Sequence, residues 1–146
     1  MASKDGVSEA EEFVYRISTI KEWEELQKTG SLYGGELDKS SGFIHLSKRH
    51  QVQSTLQNFF LNTEEELYLL QIDAKTLGDG LVYEVVDGSN SFPHFYGPSR
   101  SFSPLPSHAV MKAEKLSLSG GQFICSLLEK EGSLSSKIYT NNFTWI

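Results

Sequence analysis

Cysteine is almost absent: Cys125 stands alone in 146 residues, so no intrachain disulfide or thiolate zinc cage can form, and a reducing compartment suits the chain. Arginine is scarce too. Three arginines within a net charge of −6 argue against a broad nucleic-acid or membrane-surface footprint, which needs clustered Lys and Arg. No apolar run approaches the roughly 20 residues of a membrane span, and the polar start from Met1 to Glu12 lacks the apolar core of a secretory signal. The expectation is a soluble cytoplasmic protein in which the Asn142-Phe143-Thr144 sequon is a chance match. Catalytic signatures are missing as well. There is no His-Glu-x-x-His or His-x-His pattern, no Gly-x-Ser-x-Gly elbow, no Gly-rich loop leading into Lys-Ser/Thr, and no Gly-x-Gly-x-x-Gly after a strand. These absences remove several large enzyme classes, and Cys125, on an expected amphipathic helix, reads as a packing residue rather than a nucleophile.

What is present centres on Gly42-Phe43-Ile44-His45-Leu46-Ser47. Phe43, Ile44 and Leu46 favour a strand, and alternation puts Phe43 and His45 on one face of it. Ser47 is a preferred N-cap, and Val52, Leu56, Phe59 and Phe60 give the apolar stripe of a helix from about 48 to 60. His45 is therefore expected beside a helix N-terminus, whose free N–H groups suit a phosphate or carboxylate.

Around it, the spacing predicts a disordered tail over 1–11, a strand at Phe13–Ile17, and a helix opened by the Thr19–Glu22 capping box and closed by Gly30. Arg16 lies on the strand opposite Phe13, Tyr15 and Ile17, either snorkelling at an edge or binding an anion. Ser31–Ser41, with Tyr33, Gly34 and Gly35, reads as a loop; Leu67–Ile72 as an inner strand; and Leu81–Val86 as a further strand between two Asp-Gly turns. Glu84, the one charge between Val82 and Val86, must face a polar cleft or an exposed edge, because burying it unpaired costs several kcal/mol.

Phe92-Pro93-His94-Phe95-Tyr96-Gly97-Pro98 is expected as an aromatic loop that proline keeps out of a central strand, either plugging the core or lining a pocket for a flat ligand. A last core strand runs up to Leu116, Gly120-Gly121 breaks the chain, and Phe123–Leu128 suits a short helix, with Ile138–Trp145 docking as an extra strand or staying loose. Strands and helices mix without regular alternation. The reading is α+β with largely antiparallel strands, one domain over 12–117 and an extension over 118–146. Arg or His for a phosphate, helix N–H groups for its oxygens and Tyr or Phe for a ring together fit a small phosphorylated ligand.

With Leu69-Leu70-Gln71-Ile72-Asp73 and Tyr83-Glu84, the two motifs resemble the signature of the domain-of-unknown-function family 952 from about Phe13 to Leu116. That resemblance implies a fold similar to the ADP-ribosyltransferases, two antiparallel sheets around a cleft with helices outside. Related folds include NAD-dependent RNA 2′-phosphotransferases, which carry a similar His-Leu-Ser segment. It further implies NAD or an ADP-ribose-type ligand and no metal. His45 and Ser47 would meet phosphate or ribose, Arg16 would grip the nucleotide, and Glu84 would steady a ribosyl cation, as carboxylates do in glycosyl transfer. Tyr33 or Tyr96 would stack on nicotinamide, His94 would act with His45 and Glu84 as a catalytic group, and Phe92 and Gly97 would wall the cleft. Departures are visible: Arg16 replaces a histidine common in relatives, the Gln/Glu-x-Glu pattern of arginine-directed transferases is missing, and Arg49 and Arg100 fall in a helix start and a loop. Two rivals stand beside this reading, a non-catalytic binding module and a metal enzyme using His45, His94 and His108. All of them require the two imidazoles to share one hollow, within about a dozen ångströms.

Overall fold

The computed structural model describes residues 11–129; the tail expected over 1–11, apart from Glu11, and the docking segment Ile138–Trp145 lie outside them. In chain order the elements are β1 (Phe13–Thr19), α1 (Ile20–Thr29), β2 (Ser31–Leu32), α2 (Glu36–Ser41), β3 (Ile44–His45), α3 (Val52–Phe59) and β4 (Leu67–Asp73). There follow α4 (Ala74–Leu77), β5 (Leu81–Asp87), β6 (Asn90–Phe95), β7 (Leu105–Pro106), β8 (Val110–Lys115), β9 (Ser117–Ser119) and β10 (Gln122–Ile124). Every strand pair is antiparallel. Two sheets have three strands, ordered β1-β4-β8 and β3-β6-β5, and two have two, β2-β7 and β9-β10. The architecture is α+β.

β4 is central in its sheet, and its nearly continuous apolar run follows from burial on both faces. Leu70 and Ile72 join Val14, Leu26, Ile44, Leu46 and Phe95 in one core cluster, while Leu67 and Leu69 join Tyr15, Ile17, Val52 and Leu56 in another. The second cluster also takes Phe123 and Leu127 from the far end of the described chain. α1 forms as its sequence directs: the Thr19 hydroxyl accepts from Glu22 N, and Gly30 closes the helix at φ +87°.

Several local expectations are corrected. The 31–41 stretch is not one loop but a two-residue strand and the six-residue α2, both too short to show a period. Ser47 does not cap a helix; its backbone exchanges two 2.8 Å hydrogen bonds with Tyr15, stitching β3 to β1. The Gln51 side chain instead accepts from Lys48 N, a 3₁₀ turn follows at Arg49–Gln51, and α3 starts only at Val52. Phe59, expected in the apolar stripe, is the last residue of α3 and is 75 % exposed, while Val52 and Leu56 form the buried face.

Pro93 lies inside β6, the middle strand of its sheet. Its carbonyl accepts from Leu46 N, so its ring nitrogen faces the same side, where the two-residue β3 is already ending and little ladder is lost. Finally, Phe123–Leu128 is β10 followed by a 3₁₀ turn rather than a helix, and β8, expected as a core strand, is an edge strand with Met111, Lys112 and Lys115 exposed.

Candidate functional site

Alternation on the β3-β6-β5 sheet sends Ile44, Leu46, Phe95 and Leu81 into the core, so the opposite face collects Phe43, His45, His94, Tyr96 and Glu84. His45 and His94 are register partners across β3 and β6, and their ring centroids lie 5.7 Å apart with planes at 64°. The two motifs therefore do meet. Phe43 lies over His94 at 3.9 Å and nearly parallel, 4.6 Å from His45 and 5.2 Å from Tyr96, and it helps leave His94 only 5 % exposed.

Each imidazole is backed by a carboxylate. His45 Nδ1 is 2.9 Å from Asp38 Oδ1, and the same oxygen accepts from His45 N and Arg16 Nη1. Asp38 Oδ2 accepts from Gly35 N and Arg16 Nη2. Burial opposes the Asp38 charge, yet the bonds from His45 and the nearby Arg16 hold the carboxyl well below the usual range, so it stays an acceptor. Nδ1 of His45 faces this acceptor as a donor, and Nε2 is the outward nitrogen of a side chain that is 34 % exposed.

Arg16 gives all five N–H groups away, to Asp38, to Glu22 and to the His45 carbonyl oxygen. Burial works against its charge, but Glu22 and Asp38 together raise its pKa above the ordinary value. Two carboxylates around one guanidinium leave the cluster short of positive charge, and burial, reinforced by Asp38, pushes Glu22 upward. Buried at 7 % exposure and saturated, Arg16 positions Asp38 and the His45 backbone rather than reaching toward solvent.

Glu84 sits on β5, an edge strand, and also in a polar cluster, so both environments expected for it coincide. Its Oε1 is 2.6 Å from His94 Nδ1 and accepts from the Tyr96 hydroxyl at 2.7 Å, while Oε2 accepts from Arg100. Desolvation alone would raise this carboxyl; the three donors outweigh it and hold it at about 2. Burial lowers the His94 pKa, with Glu84 opposing it, and both desolvation and Glu84 raise Tyr96. A hollow of about 480 Å³ opens beside this cluster, lined by Leu77, Val82, Phe95, Tyr96, Pro98 and Arg100 among others.

The remaining expected residues scatter. Ser47 is taken up in the bridge to Tyr15, and the N–H groups expected free near His45 are all engaged: His45 N on Asp38, Leu46 N on Pro93, Ser47 N on Tyr15 and Lys48 N on Gln51. Phe92 shares the His94 face by alternation. Gly97 lines the hollow, and a Cβ there would meet the Ser103 Cβ at 2.6 Å. Tyr33 is exposed and makes no hydrogen bond or ring contact among the described residues, and His108 is exposed in a separate turn. Among the described residues no group of three or more His, Cys, Asp or Glu side chains is arranged to hold a metal, and no helix is long and apolar enough to cross a membrane. Sequence reasoning gave no site role to Asp38 or Arg100 and read Glu22 only as part of a helix-capping box. The cue for Asp38 was an acid three residues after Gly35, the N3 position of a capping box.

Fold and site together define an α+β domain of small antiparallel sheets that pairs two carboxylate-backed histidines on one sheet face. The chain belongs to the family described as protein of unknown function (DUF952), which matches residues 17–113. It is similar to protein CC0527 from Caulobacter crescentus: the crystal structure shares 32% identity at a TM-score of 0.68, covering 77% of this chain and 93% of that one. The solution structure of CC0527 gives 31% identity and a TM-score of 0.64, covering 77% and 91%. No curated protein matches the chain.

Proposed function

We propose that this domain binds a nucleotide of the ADP-ribose type, NAD being the substrate rather than a resident cofactor, and transfers its ADP-ribose or a phosphate. The observation that carries the reading is the Asp38–His45 pair beside His94: a tautomer fixed at Nδ1 leaves Nε2 of His45 open as a proton acceptor, 5.7 Å between ring centroids from a second imidazole. In the transfer, an acceptor hydroxyl gives its proton to His45 Nε2 as its oxygen bonds to the anomeric carbon of the ribose. Nicotinamide leaves with the electrons of the broken C–N bond. Positive charge develops at the ribose, and the Glu84 carboxylate supplies the compensating negative field.

Titration calorimetry with NAD, ADP-ribose and 2′-phosphorylated RNA, followed by chromatography for released nicotinamide, tests this. Heat with at least one ligand is expected, and His45→Asn lowers turnover by about 10²–10⁴-fold, the range for a lost acid–base group, while leaving binding within a few-fold. Silence with all three ligands overturns the proposal. The second reading, a binding module without chemistry, draws on the saturation of Glu84 by three donors. It expects ligand binding that survives Glu84→Gln and no nicotinamide release.

A further inference from the structure

We infer that the hollow beside Tyr96 is a subsite for a planar ring bearing a phosphate, and that Arg100 receives the phosphate by exchanging it for the Glu84 carboxylate. At about 480 Å³ the hollow is within the size range of small-molecule sites, and Leu77, Val82, Phe95 and Pro98 give it an apolar floor, with Asp79 and Arg100 the charged residues of its lining. Arg100 stands at its rim. Of the three arginines, Arg16 is buried and saturated, and Arg49 is engaged by Tyr15 and the Glu129 carbonyl. Arg100 is different: its side chain is 59 % exposed, its hydrogen bonds among the described residues all run through Nη2, and its guanidinium lies 4.3 Å above the Tyr96 ring.

The backbone that holds it there is unusual. Ser99 and Arg100 both adopt φ +57°, a left-handed conformation disfavoured for side-chain-bearing residues, and two in succession mark a turn whose shape is imposed from outside. The turn is pinned by Gly97 N donating to the Ser101 carbonyl and by the Ser101 hydroxyl donating to the Pro98 carbonyl, both at 2.7 Å. It carries Arg100, which lines the hollow with its guanidinium fork over the Tyr96 ring. An exposed ion pair such as Arg100–Glu84 contributes little, whereas a phosphate offers the same fork a bidentate partner with more charge. Exchange of one anion for the other is therefore downhill once a ring occupies the apolar floor.

The exchange has a consequence across the sheet. Oε2 of Glu84 has Arg100 as its hydrogen-bond partner, while Oε1 keeps His94 and Tyr96. Drawing Arg100 away unmasks Oε2 on the face that carries His45. Ligand phosphate thus switches Glu84 from an anion satisfied at both oxygens to one held at Oε1 with Oε2 open, a step that rests on the nucleotide reading above, whereas the subsite itself does not.

Nitrogen-15 NMR of the arginine Nε–Hε groups tests the subsite, since the chain has three arginines to resolve. Phenyl phosphate is expected to shift Arg100 saturably and leave Arg16 unmoved, and phenol is expected to leave both unmoved. Arg100→Gln reduces phenyl phosphate affinity at least about tenfold, to that of phenol, and Arg100→Lys, which keeps charge without the fork, falls between. Glu84→Gln tightens phenyl phosphate several-fold, because the competing carboxylate is gone; a merely structural pair would loosen the turn and weaken it. An unshifted Arg100, an unaffected Arg100→Gln variant, or a Glu84→Gln variant with equal or weaker affinity overturns the inference. A phenyl phosphate response with silent nucleotides overturns only the nucleotide reading, and the reverse overturns only the subsite.

Discussion

Replacing Asp38 by Asn removes one charge and changes almost no volume, which isolates what that carboxylate does. It is 4 % exposed and accepts five N–H groups, three on Oδ1 from His45 N, His45 Nδ1 and Arg16, two on Oδ2 from Arg16 and Gly35. An amide can offer its oxygen to one of these sets; its NH₂ then confronts donors on the other side. Two unsatisfied buried donors at about 1–3 kcal/mol each set a loss of about 2–6 kcal/mol. Removing one partner of a buried ion pair costs about 3–5 kcal/mol by direct comparison, so the expected loss at pH 7 is about 3–5 kcal/mol. Against a total stability of about 5–15 kcal/mol the variant folds with a much lower urea midpoint.

The pH dependence supplies a second check. Asp38 has a folded pKa below its ordinary 3.8, so its stabilisation is present above that value and is lost as pH falls through the folded value. Glu22 has a folded pKa above its ordinary 4.5, so its contribution is present below that value and is lost as pH rises through the folded one, the opposite sign. The gap between wild type and Asp38→Asn should be full at neutral pH and close on acidification below about pH 4, the range set by an ordinary carboxyl. Glu22→Gln should cost less alone, since Asp38 still faces Arg16. The double variant leaves a buried guanidinium with no counter-charge and should exceed the sum by about 0.5–3 kcal/mol. Urea unfolding followed by circular dichroism reads all three. A loss under about 1 kcal/mol at pH 7, or a gap unchanged by acid, would refute the assigned role of Asp38.

Gly97→Ala places a methyl group 2.6 Å from the Ser103 Cβ, and overpacking of that kind should lower stability by about 1–3 kcal/mol in a thermal melt; an unchanged melt would show that the turn yields freely. Glu84→Gln removes the group that raises the His94 pKa against burial, so the His94 ring resonances should titrate at lower pH than in wild type, and a shift upward or none would contradict the pairing. Burial raises the Cys125 thiol, so its reaction with a disulfide reagent at pH 8 should be several-fold slower in the folded chain than in urea; equal rates would show the thiol unhindered.

The parts of the fold legible from sequence are those in which local pattern and tertiary demand coincide. The apolar run of β4, the Thr19–Glu22 start and Gly30 stop of α1, and the Asp-Gly turns around β5 could each be read because one short-range signal fixed them. Where tertiary contacts overrode the local signal, the reading failed. Ser47 has the chemistry of a cap, but pairing with Tyr15 claims its backbone; Pro93 has the chemistry of a strand breaker, but β3 ends where its missing N–H would have bonded.

The site shows the same division. Strand parity alone put Phe43 with His45; the pairing of His45 with His94 came only from the structure, because 92–98 reads as a loop and antiparallel order by itself leaves the register open. Their supports do not follow either. Asp38 comes from a helix too short to have a period, and Arg100 from a turn whose left-handed φ values no residue type at Ser99 or Arg100 announces. Both supply charge to strands distant in sequence, and charge pairs of this kind depend on three-dimensional distance, about which a linear pattern is silent. Alternation was thus enough to place Phe43 beside His45, while the carboxylate and the guanidinium that reach this face from outside its strands were not readable. Because Asp38 fixes which nitrogen of His45 is open and Arg100 fixes which oxygen of Glu84 is closed, the chemistry of this sheet face is decided by residues outside its strands.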